Sequence, residues 1–599
     1  MTKIVISPTM VTSLSKGIEG QLTNLFDGKT FTGLFPGWNA ENYPAKLKIQ
    51  FEKPEHITLV KLFDGPGQPN LRFYNGANNQ LLLDTKLDGY MTWIERTVDW
   101  NVESIILELV DSQGEGVITE IEFYTADEGN PVDPVDPINV PKTKKGASKA
   151  IMTNGFHWTP FSIMSVFGGA RLYMAHQFVM RDGKFYGDPF YQAGVQHALG
   201  LDKYLKDAKV LGIDILLCLN QLPTDWAMEW DGDPEGKPIK RNADPLDPAS
   251  YHDIAKFYFN LAARYGSIAV DHTLLEVNNE LRWGAQNVIK SGLNLLNRVE
   301  LWNEQWAWWR GEDSRFTPEE YAVMFFMCYN GCNGRFPGCG VAQADPAFEL
   351  VMGGMSEMNT DHLDRFLNKL IEMGADASIV KYVQFHHYSN KGNDEGYMPK
   401  QWTEGASPEA DQLEMRLQRM IDWRDARLPN AKLIYGEFGW DTADNGQSWQ
   451  KSHGEQNQAN WLVRTYLLSL KMKIDECYMF NVSDGENYVN GDLWASSGQV
   501  GAQSTGYTPK IAHNAIASLI KELNGYDWRK DLSPSENVRI LLFKNGRTLK
   551  YYYWTVSGTA NIIIGNTKLV ATEKPEFRTV RAYEPNRIAL VNYTEALKA

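Results

Sequence analysis

Cysteine is scarce in this sequence, with five residues among 599, so a fold held together by many disulfides is excluded. The odd number also leaves at least one thiol unpaired. Cys332 and Cys339 bracket the short loop CNGRFPGC and form one candidate disulfide. Cys328 lies nearby, but no histidine accompanies these residues to complete a zinc site. We therefore expect cysteines that are buried or paired for structural reasons.

Long apolar runs are also absent. No segment approaches the roughly 20 consecutive apolar residues that span a bilayer, which excludes a membrane-embedded protein. Basic residues are outnumbered, with 59 Lys and Arg against 74 Asp and Glu and a net charge of −15. This deficit argues against nucleic-acid binding, which needs clustered cations. No G-x-G-x-x-G or Walker pattern follows an opening strand, which disfavours a nicotinamide or phosphate enzyme.

A segment rich in proline and aspartate divides the chain. Residues 127–149 read DEGNPVDPVDPINVPKTKKGASK, a composition typical of a semi-extended spacer. In residues 1–126, short strand patterns separated by turn signals predict an antiparallel β-sandwich. After residue 525 the patterns VRILLFKNG, TLKYYYWTV and TANIIIGN predict a small C-terminal β-sheet over residues 526–599.

Strand and helix patterns alternate between residues 150 and 525. One helix is predicted to begin at Thr317, with Glu320 completing a capping box, and another at Ser407 followed by Pro408. Strands and helices in alternation over this length predict an α/β fold, a (β/α)8 TIM barrel with long loops. The eight strand candidates are KAIMTNGF, GARLYM, IDILLCLN, RVELWNE, ELVMGGM, KYVQFHHYS, AKLIYGEFG and ECYMFNV.

Carboxylates follow two of these strands. RVELWNE finishes on Asn303 and Glu304, and AKLIYGEFG carries Glu437 near its end. Functional groups of such barrels lie at the carboxyl ends of the strands. Two carboxyl groups facing each other there can cleave a glycosidic bond, one as an acid and the other as a nucleophile or base. Closely spaced carboxylates also disfavour each other's ionisation, which keeps the acid protonated.

The segments VELWNEQ, QFHHYSN and IYGEFGWDT resemble the fourth, sixth and seventh strand ends of clan A glycoside hydrolases. These are retaining enzymes built on a (β/α)8 barrel. The resemblance implies that Glu304 is the acid/base, that Glu437 is the nucleophile and that Asn303 holds the substrate 2-hydroxyl. It further implies that His386 and Tyr388 flank the nucleophile and that Arg171, in GARLYM, hydrogen-bonds it.

Other interpretations of these residues stay open. Asn279 and Glu280 form a second Asn-Glu pair after an apolar stretch. We favour Glu304, because its strand continues through WAWWRGED into a capped helix. His386 with Tyr388 is also compatible with a structural hydrogen-bonded pair, and Arg171 with a buried ion pair.

Tryptophan is concentrated around Glu304. Trp302 lies inside the strand, where a core position is the simpler interpretation. Trp306, Trp308 and Trp309 lie in a polar loop, and flat indole rings match the apolar faces of pyranose sugars. The last strand departs from the clan pattern: ECYMFNVSDG offers Phe480 and Asn481, where the clan commonly has a tryptophan as the sugar platform.

The N-terminal segment resembles galactose-binding-like modules of the discoidin type. By that resemblance, Trp38 and Tyr43 could contact a glycan, and acidic turns such as the one at Asp27 could hold a structural calcium. The alternative is a module that packs without binding anything.

These observations predict a retaining glycoside hydrolase that cleaves β-linked polysaccharide, with endo-action favoured by the tryptophans. The alternatives are an exo-acting β-glycosidase and a non-catalytic glycan-binding or adhesion protein. The expected partner is a polysaccharide or oligosaccharide, with no nucleic acid, no catalytic metal or cofactor, and a monomeric chain. The amino terminus lacks a secretory signal, so either a cytoplasmic protein or a chain without its leader fits. The predicted substrate favours a secreted, periplasmic or cell-surface location.

Overall fold

The computed structural model describes residues 2–590 with gaps, and the chain forms two units. The gaps are residues 5, 17, 27–32, 35, 37–41, 65–68, 88–91, 111–117, 126–140, 142, 182–183, 186–200, 228–234, 278–280, 283–284, 287, 308–310, 392–402, 444–449, 452–453, 487–494 and 582–587. One unit comprises Met1–Pro137 with Gly501–Thr508. The other comprises Ile138–Val500 with Pro509–Ala599.

The first unit is a seven-stranded antiparallel sheet. Side chains alternate along its longest strand, so that Leu47, Ile49 and Phe51 enter a separate apolar core. This alternation is the period-two pattern of a half-buried strand, and the predicted antiparallel β structure is confirmed. The strands are Thr2–Ile4, Val11–Ser13, Ala45–Asp64, Asn70–Asn75, Leu81–Lys86, Thr92–Leu109 and Ile118–Thr125, with 3-10 turns at Pro8–Met10 and Glu19–Leu25.

The second unit contains an eight-stranded parallel barrel, and each predicted barrel strand is present. In chain order the strands are Ile151–Phe156, Gly169–Ala175, Asp214–Asn220, Arg298–Leu301, Glu349–Met352, Tyr382–His386, Lys432–Phe438 and Glu476–Met479. Each pairs in parallel with its neighbours. A parallel bridge between Met355 and Phe385 joins the fifth strand end to the sixth strand and closes the barrel.

Seven helices of eleven residues or more lie in the described part of this unit. They are Leu201–Leu211, His252–Tyr265, Pro318–Gly334, Thr360–Glu372, Leu413–Arg427, Gly454–Lys471 and Ile511–Leu523. The capping box predicted at Thr317 and Glu320 is present. Ser407 caps only a separate turn: its hydroxyl accepts from the Ala410 amide at 3.2 Å. The predicted helix itself begins later, at Leu413, because Gln412 is left-handed and interrupts the helical backbone.

Shorter elements connect these helices and strands. The short helices are Phe161–Met164, Thr224–Ala227 and Val341–Ala344, and the 3-10 turns are Gly146–Ala150, His176–Phe178, Pro248–Tyr251, His272–Leu274 and Ala377–Ile379. The 3-10 turn Gln503–Thr505 belongs to the first unit. Paired two-residue strands occur at Met180–Arg181 with Lys184–Phe185, Leu281–Arg282 with Ala285–Gln286, and Thr403–Glu404 with Gln450–Lys451. No helix in the described ranges has the length and apolarity needed to cross a bilayer.

A C-terminal pair of antiparallel sheets packs on the barrel helices. One face of the strand Thr548–Thr555 joins the barrel core through Tyr552 and Trp554. Its other face packs Tyr551 and Tyr553 into a separate cluster between the sheets. The remaining strands are Asp527–Asp531, Val538–Asn545, Ala560–Ile564, Thr567–Ala571, Glu576–Arg581 and Ile588–Leu590.

All five cysteines are free and buried. The candidate disulfide between Cys332 and Cys339 is therefore not formed. All five cysteines instead occupy buried positions, as expected for structural cysteines. Burial raises the pKa of the Cys332 and Cys339 thiols to about 11, so they remain protonated at neutral pH.

Candidate active site

Glu437 points into the barrel because the seventh strand carries a bulge. Ile434 lies inside the barrel and Tyr435 outside it, so strict alternation would direct Glu437 outward. The register against both neighbouring strands shifts by one residue at this point, as a β-bulge does. Gly436 permits it, because a Cβ there would lie 2.6 Å from Nε2 of Gln384.

The fourth strand ends in a backbone that is unusual for residues with side chains. Trp302 has φ of 72° and Glu304 has φ of 45°, both in the left-handed region. Each such residue costs on the order of 1–3 kcal/mol, and such costs cluster at functional sites. The Glu304 amide donates to the carbonyl of Gly354 at 2.8 Å. This bond fixes Glu304 against the end of the fifth strand.

Glu304 and Glu437 face each other across the carboxyl end of the barrel. One carboxylate oxygen from each, and one ring nitrogen of His386, all lie within 4.8 Å of one another. Glu437 is buried, with 5% exposure, whereas the Glu304 side chain is 20% exposed. The two carboxylates therefore form a close pair in which one member is more accessible to solvent.

His386 bridges the two carboxylates. Its Nδ1 lies 2.9 Å from Glu304 Oε1 and 3.2 Å from Glu437 Oε1. Nε2 is buried without a hydrogen-bond partner among the described residues, and it packs against Gly354. Burial lowers the pKa of His386 to about 4, although the negative charge of Glu437 opposes this shift. A neutral ring with its hydrogen on Nδ1 satisfies both contacts, so His386 donates to the carboxylates without adding charge.

Three further donors hold the Glu437 carboxylate. Arg171 Nη1 donates to Oε1 at 3.0 Å and Tyr388 donates to Oε2 at 2.7 Å. Tyr173 also donates to Oε1. Burial raises the pKa of Tyr388 well above its usual value, and the charge of Glu437 adds to the effect. Burial likewise raises the pKa of Tyr173. Both phenols therefore keep the hydrogen that they donate.

Arg171 is buried and compensated by a second carboxylate. Its Nε and Nη2 donate to the two oxygens of Glu300 at 2.6 and 2.7 Å, the fork geometry that suits a guanidinium. Gln384 Nε2 donates to Glu300 Oε1 at 2.9 Å, and Asn154 accepts from Arg171 at 2.9 Å. This polar layer lies beneath the site and fixes its donors.

Asn303 joins the same network. Its Oδ1 accepts from Arg171 Nη2 at 2.7 Å and lies 3.4 Å from the hydroxyl of Tyr173. The structure thus brings together six of the residues singled out from the sequence: Arg171, Asn303, Glu304, His386, Tyr388 and Glu437.

Tyr173 and Glu300 also belong to the site but were not predicted from the sequence. Their signal was present: Tyr173 stands two positions after Arg171, on the same face of its strand. Glu300 is an acidic residue within the short buried strand RVEL, and its side chain is fully buried. A buried charge needs a partner, so an acidic residue in this strand indicated that a cationic side chain lies inside the barrel.

The described tryptophans near Glu304 are engaged with protein groups. Trp302 is 4% exposed and its ring lies 5.7 Å from that of His176, a core position. Trp306 is half-buried, with the guanidinium of Arg315 4.8 Å from its ring centroid and His362 edge-on at 5.2 Å. Its ring therefore already has a cation on one side.

Several predicted residues lie outside the described part of the chain. They are Trp308 and Trp309, the alternative pair Asn279 and Glu280, and, in the N-terminal unit, Trp38 and Asp27. Tyr43 is described and packs against the N-terminal core.

The residues present could also hold a metal ion by their chemistry. Glu304, His386 and Glu437 offer two oxygens and a nitrogen, a donor set that suits zinc. However, Arg171, Tyr173 and Tyr388 already donate to Glu437. Because the oxygens of Glu437 already accept these hydrogen bonds, the arrangement suits a free carboxylate better than a metal ligand.

No protein-family model and no curated protein matches the sequence. Among solved structures, a family 39 glycoside hydrolase from Bacteroides cellulosilyticus WH2 is 13% identical, with a TM-score of 0.49 over 88% of this chain and 100% of that one. A GH30 endoxylanase from Clostridium papyrosolvens C71 is 12% identical, with a TM-score of 0.40 over 74% and 95%. A family 32 carbohydrate-binding module from Clostridium perfringens, solved with galactose, is 16% identical, with a TM-score of 0.17 over 20% and 98%. Likenesses this weak assign neither a family nor an activity.

Proposed function

We propose that this chain is a retaining glycoside hydrolase that cleaves β-glycosidic bonds in a polysaccharide. The observation that carries the proposal is the close approach of Glu304 and Glu437, whose nearest oxygens lie within 4.8 Å. Retaining enzymes place their two carboxyl groups about 5–5.5 Å apart, whereas inverting enzymes leave about 6.5–9.5 Å for a water molecule. The shorter separation supports direct attack by one carboxylate.

Glu437 is the nucleophile in this proposal. Its oxygen attacks the anomeric carbon while the bond from that carbon to the leaving oxygen breaks, giving a covalent glycosyl-enzyme. Glu304 gives its proton to the leaving oxygen, so the first sugar product departs as a neutral alcohol. The greater exposure of Glu304 suits a group that exchanges protons with solvent.

Water completes the reaction in a second step. Glu304, now ionised, removes a proton from a water molecule, which attacks the anomeric carbon and breaks its bond to Glu437. Glu437 returns as a free carboxylate and Glu304 as an acid, so both groups are restored. Asn303 lies beside Arg171 and Tyr173, a position from which its amide reaches the neighbouring sugar hydroxyl.

Glu437, attacking as a carboxylate, gives the buried site a net negative charge. Glu300 accepts two hydrogen bonds from Arg171 and compensates its charge, while His386 remains neutral. The cluster of Arg171, Glu300 and Glu437 thus carries one net negative charge. A negative site stabilises the positive charge that develops on the sugar in the transition state.

A polysaccharide panel tests the proposal. Reducing ends released from β-glucan, xylan, mannan and β-galactan are measured with the wild-type chain and with Glu437→Gln. We expect release from at least one polymer and its loss, by about 10⁴-fold or more, in the variant. The matched control is Glu404→Gln, at a surface carboxylate paired with Lys391. Wild-type turnover that survives Glu437→Gln would overturn the assignment.

The products of the same digest distinguish endo-action, which we favour, from exo-action. Endo-action gives a ladder of oligosaccharides early in the digest, whereas exo-action gives one small product throughout. The non-catalytic alternative predicts binding to a polymer without release of reducing ends. A glycosyl adduct on the Glu437 peptide, detected by mass spectrometry after rapid quenching, would support the covalent mechanism.

We extend the proposal to the rest of the chain. The N-terminal unit would bind glycan and deliver the barrel to its polymer, with a structural calcium as an optional component. An extended polysaccharide does not cross a membrane unaided, so we propose a secreted, periplasmic or cell-surface location. The site is complete within one chain, which is consistent with a monomer.

A further inference from the structure

Four aromatic side chains form a continuous surface beside the candidate active site. Phe156 and Trp158 stack in parallel, with ring centroids 4.6 Å apart and an interplanar angle of 3°. Phe156 lies 6.0 Å from Tyr173, and Tyr173 lies 6.0 Å from Phe480 in an edge arrangement. We call Phe156, Trp158, Tyr173 and Phe480 the aromatic wall.

The wall begins at Glu437 and ends in solvent. Its inner member, Tyr173, donates a hydrogen bond to Glu437. Its outer member, Trp158, is 39% exposed, more than any other tryptophan that the structure describes. Phe156 stacks on one indole face, so a ligand would use the opposite face. An exposed aromatic surface continuous with a catalytic carboxylate is typical of a ligand-binding position.

The backbone holds Trp158 in place. The Thr159 amide donates to the carbonyl of Phe156 at 2.9 Å, and the Phe156 amide donates to Oγ1 of Thr159 at 3.2 Å. His157 lies edge-on to the indole at 4.7 Å. A turn closed by two hydrogen bonds fixes its side chains before any ligand arrives, which lowers the entropy lost on binding.

The strand order shows which part of a substrate the wall meets. Phe156, Tyr173 and Phe480 come from the first and second strands and the end of the eighth, which are adjacent in the barrel. Glu304 follows the fourth strand, on the far side of the mouth. In the proposed reaction the leaving group departs beside Glu304, so the sugars that stay bonded to Glu437 extend along the wall.

We propose that Trp158, supported by Phe156, is the stacking platform for a second sugar ring on the side of the substrate that Glu437 retains. This inference rests on the proposed function and adds that the enzyme prefers substrates with at least two sugars on that side. It also gives the chain an aromatic platform from the first strand, where the last strand offers Phe480 and Asn481 instead of a tryptophan.

Chain length of the substrate is the variable that tests this inference. The kcat/KM of Trp158→Ala is compared with wild type on aryl glycosides that carry one, two or three sugars. We expect the loss with two or three sugars to exceed the loss with one sugar by about tenfold, the scale of one aromatic contact. Trp158→Tyr, which keeps an aromatic face, should recover most of this difference.

Phe577→Ala is the matched control, because Phe577 is similarly exposed, at 38%, but lies on the C-terminal sheet. It should leave all three substrates unaffected. Equal losses on short and long substrates in Trp158→Ala, or no loss at all, would overturn the inference. Thermal unfolding of both variants separates a general loss of stability from a loss of binding.

A failure of the proposed function can be distinguished from a failure of the platform assigned to Trp158. If wild type hydrolyses no glycoside, oligosaccharide binding to the Glu437→Gln variant is measured by calorimetry, with and without Trp158→Ala. Binding that requires Trp158 would support the platform in the absence of catalysis. Binding that is independent of Trp158 would overturn it.

Discussion

Arg171 serves two carboxylates at once: its Nη1 donates to Glu437 at 3.0 Å, while Nε and Nη2 donate to Glu300 at 2.6 and 2.7 Å. The stronger, two-point contact belongs to Glu300, so most of the arginine charge is compensated away from Glu437. This division holds Glu437 in position while most of the arginine charge is taken up elsewhere, which suits the nucleophile role that we propose for it.

Removing the charge of Glu300 should therefore affect both stability and catalysis. In Glu300→Gln, Arg171 is compensated by Glu437 alone, and breaking a buried pair costs about 3–5 kcal/mol of unfolding free energy. We expect kcat to fall as well, because Arg171 then pairs more strongly with Glu437 and makes its carboxylate less nucleophilic. Urea unfolding and steady-state kinetics measure the two effects.

Glu476→Gln is the control for that experiment. Glu476 pairs with the buried Arg298 at 2.6 Å, at the opposite end of the barrel. The Glu476→Gln variant should lose stability, but the kcat of its folded molecules should stay at the wild-type value. A Glu300→Gln variant with wild-type kcat would contradict the role assigned to Glu300.

Glu304→Gln should lose activity in a way that depends on the leaving group. An acid contributes about 10²–10⁴-fold when the departing oxygen needs a proton, so hydrolysis of natural oligosaccharides should fall by that factor. An activated dinitrophenyl leaving group needs no proton, so its release should fall far less in the first step. Kinetics on the two substrate types measures the difference.

Glu280→Gln provides the comparison for Glu304. Glu280 belongs to the alternative Asn-Glu pair, and its variant should show a mild effect that does not vary with the leaving group. If Glu280→Gln showed the leaving-group dependence and Glu304→Gln did not, the two assignments would have to be exchanged.

Tyr388→Phe should lower kcat/KM by about 10- to 100-fold, the range for one hydrogen bond to a charged group. The phenol donates to Glu437 Oε2 at 2.7 Å, and the ring itself is kept in the variant. Tyr382→Phe is the control: Tyr382 begins the strand that precedes Tyr388, and its phenol donates to the Glu349 carboxylate at 2.5 Å. Similar losses in both variants would indicate a general packing effect.

Stability should fall as the pH is lowered from about 6.5 toward 4. Burial lowers the pKa of His176, His362 and His386 to about 4 in the folded chain. In the unfolded chain each has a pKa of about 6.5 and binds a proton sooner, so acid favours unfolding. Above about pH 6.5 these histidines do not reduce the free energy of unfolding. Below that pH each histidine lowers it by up to about 1.4 kcal/mol per pH unit.

Urea unfolding between pH 7 and 5 measures this slope before most carboxylates titrate. His362→Gln removes one buried histidine whose Nε2 lacks a hydrogen-bond partner among the described residues. The slope should then decrease by about one proton, or 1.4 kcal/mol per pH unit. A slope identical to wild type would show that His362 binds protons equally in the folded and unfolded chain, which would contradict its lowered pKa.

The barrel was predictable from the sequence because its signals are local. Each strand is a short apolar run bounded by polar or glycine-containing turns, and the segment GARLYM illustrates it: Ala170, Leu172 and Met174 are buried in the core. The capping box of Thr317 and Glu320 involves residues three positions apart. Periodicity and capping depend on neighbours in the chain, so one sequence is sufficient to reveal them.

The helix start at Ser407 could not be predicted correctly for the opposite reason. Ser407 followed by Pro408 is a good local signal, and the Ser407 hydroxyl does cap one turn. The left-handed Gln412 ends that turn next to the buried Asp411, which bonds His387 from the preceding strand end. A contact of that kind is not visible in the local pattern.

The sequence by itself determined the barrel, its strand ends and the residues Glu304 and Glu437 that occupy them. Only the tertiary structure decided that the bulge at Gly436 turns Glu437 inward, that Glu300 compensates Arg171, and that Trp158 rather than Trp302 offers an exposed ring. The physical reason is that each of these depends on strands far apart in the chain meeting around one barrel. Periodicity specifies which residues form a strand, whereas burial and charge compensation depend on what those strands enclose.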